Sequence, residues 1–395
     1  DADDRVDETN RAKLQVLFEG LQDVNAGYVM KCLCLPGPQA KSATEVDHLR
    51  LFRNRGDIRW KYRVHEQILT AVRRTGGEIR WSGIVVHHVG YQDPALRQRK
   101  LERDLRILLL DQADHPDDAF ILFNLAAIYQ EQERPRDALP LLRRSLELSE
   151  ESDSIVRKLY AMIAQCYNRL EERDHALIAI RQGRSVYPED IELLFQEGMI
   201  FRAFGDSYSA IRAWEHILRI PPGDHFGSID PGIRNFLTRH NLAMAYQDIG
   251  RLKAAEEQWR ILIEEHPEYE PGWSGLAELL LRVQDWQSVD PLATQLESRP
   301  ETSLVGSLLR GRALLARREF DGARDCFLAL CEKYPQAMDP RVYLSHVYLH
   351  EGTDWAGAER ALLDILALDP NNAEASHNLR TLRSDRANWG SQPPM

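Results

Sequence analysis

The chain begins Asp1-Ala2-Asp3-Asp4. Two carboxylates one residue apart can both reach one hard divalent cation, because oxygen ligands suit Mg²⁺ or Mn²⁺. The same residues also read as ordinary acidic surface, so their weight depends on the residues further along the chain. Two later clusters carry possible chemistry. Arg50-Leu51-Phe52-Arg53-Asn54 is followed by Val64-His65-Glu66, and His88-Val89-Gly90-Tyr91 comes after both. There is no Gly-rich phosphate loop, no Gly-x-Ser-x-Gly and no His-Glu-x-x-His. The five cysteines, Cys32, Cys34, Cys166, Cys326 and Cys331, fit no zinc spacing. Cys32 and Cys34 fall two apart on one strand face, which suits packing better than a disulfide. Reduced thiols and a cytoplasmic setting are expected.

The elements that position these clusters form a helix-and-strand mixture in the first 117 residues. Residues 8–22 have helical periodicity, with Leu14, Leu17, Phe18 and Leu21 on one side. Gly27 to Leu35, Val46 to Phe52 and Glu78 to Val89 read as strands, the first closed by Pro36-Gly37-Pro38. An α/β arrangement is expected over 1–92. Asp93-Pro94 starts a helix with Leu101, Leu105 and Leu108 on one stripe, so 93–118 is a connecting helix packed toward the C-terminal part of the chain.

That C-terminal part is repetitive. A small residue followed three later by an aromatic recurs at Ala126/Tyr129, Ala164/Tyr167, Gly198/Phe201 and Ala243/Tyr246. An alanine comes nine after each aromatic, at Ala138, Ala176, Ala210 and Ala255, and a large apolar residue four later, at Leu142, Ile180, Trp214 and Trp259. Pro188, Pro222, Pro267, Pro335 and Pro370 close several units. The pattern resembles the tetratricopeptide repeat, two amphipathic helices around a tight turn that stack on their neighbours. Seven units are expected over 119–372, at 119–152, 157–190, 191–224, 236–269, 270–302, 304–337 and 338–372. Residues 225–235 read as an insertion, 373–384 as a capping helix and 385–395 as a tail. The expected fold class is therefore mainly α, a tetratricopeptide-repeat α-solenoid preceded by a partial α/β domain. Such arrays bind protein or peptide on a concave face. Asn124, Asn241 and Asn378 share one phase, where an amide could grip a peptide backbone. The plainer reading is that Asn-Leu recurs there as repeat composition.

Charge is uneven along the 395 residues. Residues 1–117 hold 19 Lys+Arg and 18 Asp+Glu, net +1, and the rest holds 31 and 43, net −12. That argues against nucleic acid or an anionic membrane as partner, since phosphates need a basic surface. No run of about 18 apolar residues exists, so no transmembrane helix is expected.

Taken in order, Asp1-x-Asp3-Asp4, Arg50 to Asn54, Val64-His65-Glu66 and His88-x-Gly90-Tyr91 resemble family 2 glycosyltransferases of the GT-A fold, of the bacterial type fused to tetratricopeptide repeats. The resemblance covers residues 1 to roughly 112. It implies that Asp1 and Asp3 hold a divalent metal, Mn or Mg, bridging the diphosphate of a nucleotide-sugar donor, with His88 as a further ligand. It implies that Glu66 deprotonates the acceptor in an inverting transfer, the alternative being a structural carboxylate paired with Arg63 or another arginine of this stretch. Arg50 and Arg53 would contact the diphosphate, since guanidinium suits phosphate oxygens, or simply form a solvated face. The nucleotide-binding elements that precede Asp-x-Asp in that family have no counterpart here. The chain is therefore expected to be the C-terminal portion of such an enzyme, inactive alone. The competing expectation is a non-catalytic interaction scaffold with a remnant transferase domain.

Overall fold

The computed structural model describes residues 3–22, 24–35, 43–89, 94–221, 228–300 and 302–389. Asp1, Gly90, Tyr91, Asp93 and Pro222 lie outside the described residues. Contacts divide the chain into two compact units, residues 1–258 and 259–395.

In the first unit, β1 (Asp4–Arg5) leads into α1 (Glu8–Glu19), β2 (Ala26–Cys34), β3 (Thr44–Phe52), α2 (Leu69–Arg74) and β4 (Glu78–His88). Asp7 caps α1 by accepting from the Asn10 N–H, and the helix stops at Gly20, short of the expected residue 22. β1 and α2 are too short for a periodicity to reveal. The strands form one sheet in the order β1-β4-β2-β3-β5, where β5 is Ser228–Ile229. β2 and β4 run parallel and the other neighbours antiparallel. β2 is buried along most of its length, as a central strand must be. Gly27 lets Leu49 of β3 pack onto it, because a Cβ there would meet the Leu49 Cδ1 at 2.8 Å.

β5 comes from the stretch expected only to be an insertion. It reaches back across more than 170 residues to pair with Glu45 and Val46. A 3-10 turn at Pro231–Arg234 follows, capped by Asp230 accepting from the Gly232 N–H at 2.8 Å. Lys158 secures this strand to the helices: its Nζ binds Glu192 and donates to the Ser228 carbonyl at 3.3 Å.

The remaining chain is helical. α3 (Pro94–Asp114) precedes α4 (Ala119–Glu131) and α5 (Pro135–Leu148), α6 (Val156–Arg169) and α7 (Arg173–Val186), α8 (Ile191–Ala203) and α9 (Ser207–Ile217). Then come α10 (Phe236–Asp248) and α11 (Leu252–Glu265), α12 (Glu270–Val283) and α13 (Trp286–Glu297), α14 (Ser303–Ala316) and α15 (Phe320–Lys333), and α16 (Asp339–Glu351) and α17 (Trp355–Leu368). From α4 to α17 these are seven helix pairs among the described residues. α18 (Ala373–Trp389) ends the described chain. It runs past residue 384, where a tail was expected, because no Gly or Pro interrupts it before Gly390.

Every pair turns through one residue in the left-handed region: Glu133, Glu171, Gly205, Gly250, Gln284, Arg318 and Gly352. From Gly250 onward these recur every 34 residues. The small-and-large pattern of the sequence has a steric cause. A Cβ on Gly198 would lie 2.3 Å from the Trp214 Nε1, and Trp214 is fully buried. The glycine therefore marks where the second helix of the pair presses an indole onto the first.

The junction between sheet and helices is a shared core. Val64 of the loop after β3 packs with Leu108 of α3 and Ile121, Leu125 and Ile128 of α4. Lys61 and Tyr62 both bind the Asp118 carboxylate, at 2.9 and 3.1 Å.

Candidate metal centre

The sheet brings the first and third chemical clusters together. β1 pairs antiparallel with the end of β4, which sets Asp4 directly opposite His88. The Val89 N–H donates to the Asp3 carbonyl at 3.2 Å and fixes the backbone just beyond the pair. The site therefore sits at the carboxyl ends of the parallel strands β2 and β4, where α/β sheets commonly place ligands.

His88 is 8% exposed. Its Nδ1 is 3.0 Å from the Asp4 Oδ1, and its Nε2 is 3.6 Å from the Asp3 Oδ2. A neutral imidazole donates from one nitrogen only. With Nδ1–H directed at Asp4, Nε2 is the ring nitrogen turned toward the Asp3 carboxylate. Two ligand atoms on one divalent cation, each about 2.1 Å from it, lie roughly 3.0–3.4 Å apart. The Asp3–His88 spacing is close to that separation, and Asp4 stands where a carboxylate orients a metal-bound histidine. Asp3, Asp4 and His88 can each direct one ligand atom into a space less than 4.8 Å across.

Arg50 completes the cluster. Its Nη1 donates to the Asp4 Oδ2 at 2.9 Å and its Nη2 approaches the Cys32 Sγ at 3.7 Å. Burial alone would raise the Asp4 carboxyl, but the His88 hydrogen bond and the Arg50 charge outweigh it and hold Asp4 below its ordinary value. The cysteines of β2 lie beside these groups as free thiols. A hydrogen bond from Cys34 pulls the Cys32 thiol down, helped by Arg50 and opposed by burial, and the same bond pushes Cys34 up.

The structure gathers some of the expected site residues and separates others. Asp3 and His88 converge, whereas Asp1 is outside the described residues. His87 points away, with its Nε2 3.4 Å from the Asp7 carboxylate. Arg50 does not stand open for a diphosphate, because its guanidinium is turned onto Asp4. Arg53 is exposed beyond the end of β3. Glu66 is exposed on a loop closed by the Lys61↔Gln67 bridge, where Tyr62 and His65 both have positive φ. It does not pair with Arg63, which binds Asp111 at 2.8 Å and Asp114 at 2.7 Å. Glu66 lines a separate pocket of about 120 Å³ together with His48 and Trp60. Burial, with the Arg50 charge second, pushes the His48 imidazole down to about 4.

Asn124 and Asn241 each donate an amide N–H to their own helix, to the Phe120 carbonyl at 2.7 Å and the Leu237 carbonyl at 2.8 Å. Asn124 is also buried. Asn124 is thus engaged inside the first repeat. Sequence reasoning passed over Asp4, which is the residue that faces His88. Its signal was present as the third carboxylate of Asp1-x-Asp3-Asp4, but only the strand register identifies it.

Among known proteins, the family model described as "Tetratricopeptide repeat" matches residues 122–152 and 237–260. A TPR repeat-containing protein of Synechococcus elongatus is 30% identical over 135 residues, 32% of this chain and 34% of that protein. The match thus spans about a third of that relative's length. A solved tetratricopeptide repeat protein from Parabacteroides merdae aligns at 12% identity and a TM-score of 0.47, over 67% of this chain and 98% of that one. PilW, a type IV pilus biogenesis factor, aligns at 18% identity and a TM-score of 0.44, over 57% and 98%. The chain carries tetratricopeptide repeats. Among the described residues, no helix is long and apolar enough to cross a membrane.

Proposed function

We propose that this chain is a protein-interaction module in which tetratricopeptide repeats hold a polypeptide partner, with the small sheet packed against the first of them. The observation that supports this reading is the recurring helix pair, seven times over, with the repeat family's match at 122–152 and 237–260. Stacked repeats leave an extended surface that single helices cannot offer. The test is chemical cross-linking of the purified chain to proteins of its source cell, read by mass spectrometry. Reproducible cross-links on residues 119–221 support the reading. Cross-links that scatter without preference over the surface reject it.

A second reading is favoured by the cluster of Asp3, Asp4, His88 and Arg50. It is metal-dependent, inverting glycosyl transfer from a nucleotide-sugar donor, which the family 2 resemblance implies. A divalent cation, Mn²⁺ or Mg²⁺, bound there would supply charge compensation for a departing nucleoside diphosphate. Asp3 and His88 would hold the cation and Asp4 would orient His88; Glu66, to which the resemblance gives the acceptor proton, lines a separate pocket. Mn²⁺ binding, followed by electron paramagnetic resonance, tests the first step. Asp3→Asn or His88→Ala should weaken it by about 10- to 100-fold. Unchanged Mn²⁺ affinity in both variants sinks the metal assignment.

A further inference from the structure

The second unit carries a pocket that neither reading uses. It lies between α16, the start of α17 and α18, and holds about 190 Å³. Ala358 and Leu382, both buried, form an apolar floor with Leu349. A carboxylate and a ring meet on its wall over Gly357, where a Cβ would lie 2.5 Å from the Asp354 Oδ2 and 2.6 Å from the Tyr348 Cε1. The Asp354 Oδ1 caps α17 by accepting from the Gly357 N–H at 2.8 Å. Its Oδ2 has no hydrogen-bond partner among the described residues. Asn378 lines the same pocket. It shares the phase of Asn124 and Asn241, but its side-chain amide has no hydrogen-bond partner among the described residues.

The repeat itself indicates the occupant. Asp285-Trp286 opens α13 in the way that Asp354-Trp355 opens α17, two helix pairs later. Over Trp286 lies the Arg317 guanidinium, 4.9 Å from the ring centre, with its Nη2 donating to Asp290 at 2.9 Å. Trp355 lines the pocket at 37% exposure and carries no such cation among the described residues. Tyr348 already has one, Arg324, which Asp321 and Glu351 hold in place. Trp355, Asp354 and Asn378 are the groups left for a ligand. A guanidinium fits all three, because it stacks flat on indole and its five N–H groups can serve a carboxylate and an amide oxygen together. The net charge of −12 after residue 117 favours the approach of a cation.

We propose that this pocket binds an arginine side chain of a polypeptide partner, stacked on Trp355 and hydrogen-bonded to Asp354 and Asn378. The proposal rests on the protein-interaction reading and adds a contact in the second unit to those of residues 119–221. It repeats between two chains the stack that Arg317 and Trp286 make within one.

The probe is N-acetyl-arginine amide, titrated into the full chain labelled with 5-fluorotryptophan and read by fluorine NMR. The chain has eight tryptophans, and Trp355→Phe identifies the resonance of interest. That resonance should shift saturably. N-acetyl-citrulline amide keeps the shape of the probe but loses its charge, and should bind about tenfold more weakly. Asp354→Asn keeps a good helix cap but removes the carboxylate charge, and should weaken binding about tenfold. Asn378→Ala should weaken it about threefold. Asp354 is exposed and Asn378 half-buried, so circular dichroism should show an unchanged fold for both variants. The proposal is overturned if the Trp355 resonance stays still, if the citrulline probe binds equally, or if both variants bind like the parent. It is also overturned if free arginine binds more tightly than the blocked probe, which would mark an amino-acid site. Failure here, with cross-links on residues 119–221 intact, leaves the interaction reading standing.

Discussion

His88 is held between two carboxylates, and a neutral imidazole can donate to only one of them. Asp3 and His88 were legible as candidates from residue type, but Asp4 and the inward turn of Arg50 were not. Which carboxylate meets the ring depends on strand register, and a one-residue slip would exchange His88 for His87. His48 gives a second test at this scale. Its folded value of about 4 lies below the ordinary 6.5, so the folded state keeps it neutral. A depressed histidine contributes stability that is complete above pH 6.5 and is lost as pH falls toward 4, because the unfolded chain binds the proton first. His48→Gln should therefore flatten the acid limb of stability between those values, removing at most about 3 kcal/mol of pH-dependence. Urea melts at pH 4, 5 and 7 check it; an unchanged slope would show that His48 does not carry the effect.

Helix pairs are the element on which the molecule is built, and each turns through a left-handed residue. Four of the seven are not glycine: Glu133, Glu171, Gln284 and Arg318. A side chain in that region costs about 1 kcal/mol relative to glycine. Glu171→Gly should raise stability by about 0.5–1 kcal/mol, measured by chemical denaturation. The opposite change belongs to the helix contact. Gly198→Ala puts a methyl into the buried indole of Trp214 and should cost about 3 kcal/mol, at the upper end for overpacking. A tolerated alanine there would mean that the two helices separate easily. The repeats were legible because small and large residues recur at fixed spacing. The left-handed turns were hidden wherever glycine is absent. Lys158 works between elements: Lys158→Met should loosen β5 by removing the bond to the Ser228 carbonyl, seen as faster hydrogen exchange at Ser228 and Ile229.

At the scale of the whole molecule, charge makes a prediction of its own. With a formal net charge of −11, and the excess lying after residue 117, the chain should bind neither duplex DNA nor anionic vesicles at about 0.15 M salt. Tight binding in a fluorescence assay would contradict this. The sequence by itself determined the helical repeats, the long strands and this charge balance. Each is written in local order, as a period of side-chain size, an alternation or a composition, and burial enforces that order residue by residue. Tertiary structure alone decided that residue 4 faces residue 88, that Arg50 closes on Asp4, and that a two-residue strand from an insertion completes a sheet begun nearly two hundred residues earlier. Those pairings join segments far apart in the chain, and no local period records which distant partner satisfies a strand edge or a buried charge.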